Sequence, residues 1–325
     1  NNETKLVPKK MNFIKPQIII SKCLEFDACR YDGQLISNRY IKKLKEFIDF
    51  NPICPEVEIG MGIPRDTIRI VENDNKKILY QPETDKDFSI DMNKFSEKFL
   101  KKINYIDGFI LKADSPSCGI KSAKIYPKKH NVPASRRGSG LFTEKIIDKF
   151  PMHPMEEEKR LNNIFLREHF YTAIFTVADF RNVNNFNLLY KYHAKHKYLF
   201  MSYNQTLMTK MGKIAANKTK EKIEDVLNDY YNSLLLLFTK KSRHTSNINS
   251  LMHVLGYFKK VITKPEKKYF LEVLEEYNMK KIPLSAPNSI LYSWILRFDN
   301  QYLKNQSFFN PFPQDLIEAN KSRFE

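Results

Sequence analysis

Three cysteines far apart in the chain each follow a short apolar run, and each stands in a loop holding Pro, Gly or Ser. These loops are Ser21-Lys22-Cys23-Leu24, Pro52-Ile53-Cys54-Pro55-Glu56 and Asp114-Ser115-Pro116-Ser117-Cys118-Gly119. In an open α/β sheet the loops at the carboxyl ends of the strands gather at one edge, so residues distant in sequence meet there. If the apolar runs are strands of such a sheet, the pattern brings three thiols to one place.

The surrounding pattern agrees with that fold. Lys15-Pro16-Gln17-Ile18-Ile19-Ile20-Ser21 reads as a buried strand. An amphipathic helix is expected over residues 37–50, with Ile41, Leu44 and Ile48 on one face and Lys42, Lys43 and Lys45 on the other. Pro52 is expected to end it. Residues 67–71 and 77–80 alternate like strands around the turn residues Asn73-Asp74-Asn75. Met92, Phe95, Phe99 and Ile103 predict a helix over 91–103, and residues 108–112 a further strand. The order implies an α/β domain, Rossmann-like, with a mostly parallel sheet. Residues 128–140 form a basic loop, either a solvated surface segment or a mobile lid that touches phosphate through Arg136 and Arg137. A helix follows at 141–150, then a strap at 151–163 with three consecutive glutamates.

Seven of the nine glycines precede residue 141, and beyond about residue 164 the pattern is helical. Helices are expected over 164–180, 186–217, 220–240, 247–262, 265–278 and 287–304. Thr263 and Glu266 give a capping-box signature with Pro265 inside the first turn. The expected organisation is a floppy tail at 1–15, an α/β domain at 16–163 and an all-α domain at 164–325. The chain carries a formal net charge of +17, and residues 182–325 hold 22 Lys+Arg against 12 Asp+Glu. A polyanion, nucleic acid first, is the direct partner for such a surface; the alternative is a lysine-rich chain with solvated faces. No apolar run approaches the length of a membrane span. The cysteines lack the close pairing of a disulfide framework, which fits a reducing cytoplasm.

Four cysteines alone leave three readings open: a structural zinc site, an iron–sulfur site, or small buried thiols. The closest pair, Cys23 and Cys29, is wider than the usual zinc spacing, and ligands scattered along a chain do not by themselves define a cluster.

The combined motifs resemble the thiouracil desulfidase family. They comprise Ser21-x-Cys23-Leu24 with Cys29-Arg30-Tyr31-Asp32-Gly33, Cys54-Pro55-Glu56 with Gly60-x-Gly62-x-Pro64-Arg65, and the run from Asp107-Gly108 through Lys112 to Ser115-Pro116-Ser117-Cys118-Gly119. The resemblance covers roughly residues 16–165. It implies a [4Fe-4S] cluster held by Cys23, Cys54 and Cys118 with one open iron, and removal of sulfur from a thiolated pyrimidine. Cys29 falls where the family does not require cysteine. Glu56 is then the first choice for acid/base work, with Ser115 and Ser117 near the base edge or the water and Asp114 a weaker acid. Lys112 would neutralise the anionic cluster. Arg30 and Arg65 are either substrate contacts or, with Asp32, loop-bracing ion pairs.

The back half is similar to a helical domain fused to such modules, through Tyr192-His193-Ala194-Lys195-His196-Lys197, residues 249–260, Ile282-Pro283-Leu284 and residues 306–313. The fused form resembles enzymes that convert 4-thiouridine in tRNA to uridine with release of hydrogen sulfide. That implies tRNA as partner, with Tyr192, Lys195 and His196 on one helix face as candidate RNA contacts. Two alternatives stand beside it: a desulfidase of free thiouracil or thio-nucleosides, and a non-catalytic RNA-binding protein with a structural zinc.

Overall fold

The computed structural model describes residues 12–73, 76–130 and 132–317. Most of the expected tail, Asp74 and Asn75 of the expected turn, and Asn131 of the basic loop lie outside the described residues. The chain divides into two compact units, Ile14–Ala178 and Asp179–Gln314.

In chain order the first unit runs β1 (Gln17–Ser21), α1 (Arg39–Leu44), β2 (Asp49–Ile53), α2 (Pro55–Glu58), β3 (Arg69–Asn73), β4 (Lys76–Gln81), β5 (Lys86–Asp87), α3 (Ser89–Lys101), β6 (Gly108–Leu111), β7 (Ala123–Tyr126), β8 (Arg136–Gly138), α4 (Leu141–Lys149), β9 (Met155–Glu157) and α5 (Ile164–Phe180). One sheet, in the order β2-β1-β6-β9, is parallel throughout. Ile18, Ile19, Ile20, Phe109, Ile110 and Leu111 are wholly buried in it. Such unbroken apolar runs mark strands covered on both faces. The other sheet, β5-β4-β3-β7-β8, is mixed, and only β3 and β7 run parallel.

Two local expectations are corrected. The helix expected over 37–50 stops at Leu44, capped at its start by Asn38, and Asp49–Ile53 is the strand β2. Pro52 sits inside that strand, which it can do because β2 is the sheet's edge and the missing N–H faces away from a partner. Arg136 and Arg137 belong not to a loop but to β8, paired with β7 from Ala123↔Gly138 to Ile125↔Arg136.

Gly108 explains how α5 joins this unit. A Cβ there would lie 2.7 Å from the Pro154 carbonyl oxygen and 3.0 Å from Ile174 Cγ2. The bare backbone lets the helix come down on the sheet, burying Phe170, Tyr171, Ala173, Ile174 and Val177. The division between units thus falls one helix later than residue 163.

The second unit contains α6 (Phe186–Tyr203), α7 (Gln205–Ala216), α8 (Ile223–Leu237), α9 (His244–Leu255), α10 (Lys264–Asn278), α11 (Ser285–Arg297) and α12 (Gln301–Lys304), with no strand among the described residues. The helix expected over 186–217 breaks at Asn204, whose side chain caps α7 by accepting from the Leu207 N–H. Asn300 likewise caps α12 and ends the helix expected over 287–304. The capping box of Thr263 and Glu266 is present at the start of α10, with Pro265 in its first turn. No helix among the described residues is long and apolar enough to cross a membrane.

Candidate active site

Register gathers the cysteines. Ser21 on β1 pairs with Ile53 on β2, so Cys23 and Cys54 leave neighbouring strands side by side. On the other side of β1, Ile20 pairs with Ile110 on β6, whose continuation carries Cys118. Ser21 joins β1 to the arm beyond β6: its Oγ accepts from the Lys112 N–H at 2.9 Å, and its hydroxyl draws the Cys118 thiol pKa down.

All four cysteines are free thiols. Burial pushes the Cys118 thiol up, with the Ser21 bond opposing and the charges of Glu56, Cys54 and Cys23 adding to it. Burial and then Cys54 push Cys23 up to about 12, with Lys112 opposing. Cys54 is the exception. A hydrogen bond with the Cys29 thiol, together with the Val57 N–H, holds it below the usual thiol range against its burial. The same interaction raises Cys29, so Cys54 is the more acidic thiol of the pair. Among the described residues, no three His, Cys, Asp or Glu side chains form a group for a single metal ion.

Glu56 is built into the same place by α2, the single turn that begins directly after Cys54. Its Oε2 accepts from Arg65 Nε at 2.9 Å and Nη2 at 2.5 Å, and its Oε1 accepts from the Ser117 hydroxyl at 2.8 Å. Arg65 also donates to the Cys29 and Gly62 carbonyls. The pair is almost wholly enclosed, with Arg65 4% and Glu56 11% exposed at the side chain, and a charge this buried must be paired.

The third cysteine loop is clamped from several sides. Ser115 Oγ accepts from the backbone N–H groups of Ser117 and Cys118 at 3.2 and 3.0 Å. Thr143 Oγ1 donates to the Cys118 carbonyl at 2.8 Å. Glu157 accepts from Ile120 N and the Ser122 hydroxyl, and Glu158 accepts from Ala113 N at 2.6 Å and Lys112 Nζ at 2.8 Å. Glu157 and Glu158 were not among the site residues expected from the sequence. The available signal was three consecutive glutamates in a basic chain.

Gly140 closes the clamp. A Cβ there would stand 2.4 Å from the Ser117 carbonyl carbon, 2.5 Å from its oxygen and 2.8 Å from the Pro116 oxygen. These are backbone atoms, so Gly140→Ala must shift either the loop that carries Ser117 or the start of α4, straining the Ser117–Glu56 bond. The expected result is a folded protein destabilised by about 1–3 kcal/mol, with any activity at this site reduced more than thermal unfolding alone explains. Unchanged activity in a destabilised variant would separate the Ser117–Glu56 bond from function.

The remaining candidates are held by other partners. Asp114 is held by Arg137 at 2.8 Å and Lys159 at 2.5 Å. Arg136 pairs with Glu72 and Arg30 with Asp32. In the helical unit Tyr192 and His196 are buried, at 4% and 3% exposure. His196 Nε2 meets Asp179 Oδ2 at 2.8 Å, its Nδ1 meets the Ser307 hydroxyl at 2.7 Å, and Lys195 shares Asp179 at 2.6 Å. These three residues build the interior and edge of the unit; they do not form one exposed face.

Residues 18–158 match the 2-thiouracil desulfurase family, and residues 197–313 match a protein family of unknown function, DUF1722. The chain therefore carries a 2-thiouracil desulfurase domain, which holds every cysteine. A DUF1722 domain follows it, within the helical unit. An Escherichia coli (strain K12) protein, the uncharacterized protein YbgA, is 25% identical over 127 residues, covering 39% of this chain and 75% of its own length. A solved structure titled [4Fe-4S]-dependent thiouracil desulfidase TudS is 26% identical and covers 47% of this chain and 98% of that one, with a TM-score of 0.38.

Proposed function

We propose that the chain is a [4Fe-4S]-dependent desulfidase of thiolated uracil, with Cys23, Cys54 and Cys118 as the cluster ligands. The observation that carries this reading is the convergence of these thiols at the carboxyl ends of β1, β2 and β6, beside a carboxylate fixed by Arg65 and Ser117. The donor set fits: three soft sulfur ligands from three separate loops, one of them already disposed to be a thiolate. Bound there, such a cluster would supply Lewis-acid affinity for a soft thiocarbonyl sulfur.

The reaction replaces C=S by C=O, consumes water and releases hydrogen sulfide, without net electron transfer. Water must lose protons, and Glu56, two residues after Cys54, is the group that would take one. Both Arg65 hydrogen bonds occupy Oε2, so the transfer runs through Oε1, where the Ser117 hydroxyl already sits. Arg65 keeps the carboxylate oriented. Lys112, tied to Glu158, places a positive charge beside Cys23.

We further propose 4-thiouridine in tRNA as the substrate, in a reducing cytoplasm. The excess of basic residues over 182–325 supports an RNA partner, because extruding a stacked base costs a few kcal/mol that contacts elsewhere must offset. The test is anaerobic reconstitution followed by addition of thiolated tRNA or free 2-thiouracil. Loss of the near-ultraviolet thiopyrimidine band with release of sulfide is expected from both. A tRNA reaction that weakens steeply with salt, beside a thiouracil reaction that does not, would uphold RNA as substrate. Activity on thiouracil alone would remove it.

A further inference from the structure

Apart from the cysteine site, the helical unit exposes a pair of stacked tyrosines. Tyr257 stands in the single 3-10 turn after α9, and Tyr302 is on α12. Their ring centroids are 6.0 Å apart with planes inclined by only 24°. They are 47% and 38% exposed, although a ring with a polar tip more often buries its face.

Beneath them lies Tyr198 of α6, buried and edge-on to both rings at 6.4 Å. Its hydroxyl donates to that of Tyr257 at 3.1 Å. Three separate elements thus fix the pair, and little side-chain entropy remains to be lost when something lies on it. The setting is cationic. Lys197 Nζ stands 5.9 Å from the Tyr198 ring centroid, and exposed Lys259 and Lys260 lie two and three residues after Tyr257, beyond the buried Phe258, with exposed His253 four residues before it. Lys304 lies two residues beyond Tyr302, paired with Asp299.

We infer that Tyr257 and Tyr302 form a stacking platform for unpaired nucleobases of RNA, flanked by lysines that meet the phosphates. The inference rests on the reading above that RNA carries the thiolated base. Charge complementarity selects the occupant: a polyanion satisfies the lysines, and every nucleobase has a π-face for the rings. An acidic peptide or an anionic lipid surface would engage the lysines and leave the rings without a planar partner.

The test uses the full-length reconstituted protein and fluorescence anisotropy with labelled oligouridine and a duplex RNA of equal length. Wild type should prefer the single strand. Tyr257→Ala and Tyr302→Ala should each weaken single-strand binding about tenfold, leaving the slope of log K against log salt unchanged, whereas Lys260→Ala should reduce that slope by about one. Tyr257→Phe keeps the ring and loses the hydroxyl bond to Tyr198; it should bind as wild type does. Tyr302→Trp enlarges the π-face and should bind at least as tightly, which keeps a readout if an alanine variant unfolds. Alanine variants that bind oligouridine like wild type, or that lose equal affinity for duplex, overturn the platform. Sulfide release from free 2-thiouracil by wild type is scored separately. Sulfide without single-strand preference refutes the platform and spares the desulfidase. No sulfide with the preference and its tyrosine dependence intact does the reverse.

Discussion

Cys118→Ala is expected to emerge from anaerobic reconstitution colourless, with iron and acid-labile sulfide at background and no loss of the thiopyrimidine band. Cys29→Ala is expected to take up a full cluster. The two residues look alike on burial, since both are enclosed in the same region. They differ in how they are held. Cys118 is fixed by Ser115, Thr143 and Ser21 at the end of a clamped loop, whereas Cys29 is bonded to another cysteine. On the proposed ligand set, removing one of three cysteines leaves two thiolates, too few to hold the group against solvent, because binding couples directly to the ligands. Cys29→Ala should instead show itself in the cluster-free protein. Cys54 is held low by its bond with Cys29, so losing that bond raises its pKa, and alkylation of Cys54 at a given pH near neutrality should slow. A brown, active Cys118→Ala protein, or a colourless Cys29→Ala protein, would exchange their assignments.

The parallel sheet and the convergence of three cysteine loops were legible because each depends on a local signal. An apolar run such as Ile18-Ile19-Ile20 announces a buried strand, and Pro or Gly after it announces a loop at the strand's end. What could not be read was whatever depends on register or on distant partners. Pro52 reads as a helix stop unless its strand is known to be an edge. Arg65 reads as a substrate contact or a loop-bracing ion pair, and its partner could not be named; Glu56, nine residues away, makes it the enclosed half of a pair. Arg136 and Arg137 look like a phosphate-seeking lid because their carboxylates, Glu72 and Asp114, lie 64 and 23 residues distant. Tyr192 and His196 share a helix face as expected, but the face is interior, and period alone does not say which face of an all-helical unit is wet. Gly140 gave no signal beyond its type; its role comes from backbone brought to within 2.8 Å by the fold.

Glu56→Gln is expected to keep the cluster and lower kcat by about 10²–10⁴, with KM for free 2-thiouracil little changed. The substitution is nearly isosteric, and its amide oxygen can still accept from Ser117 or Arg65, though the Arg65 charge then meets only neutral acceptors, the Cys29 and Gly62 carbonyls among them, and some thermal stability is lost. What it cannot do is take a proton at Oε1. Arg65→Met supplies the contrast. It leaves Glu56 enclosed without its counter-charge, and breaking one partner of a buried pair costs about 3–5 kcal/mol, so this variant should lose thermal stability as well as activity. In the double variant Glu56→Gln, Arg65→Met no unpaired charge remains. Stability should return well above that of Arg65→Met, while kcat stays as low as in Glu56→Gln. That pattern separates the two jobs of the pair, because a carboxylate that only braced the loop would let activity recover with stability. If the double variant regains both, Glu56 is a strut and the proton acceptor lies elsewhere.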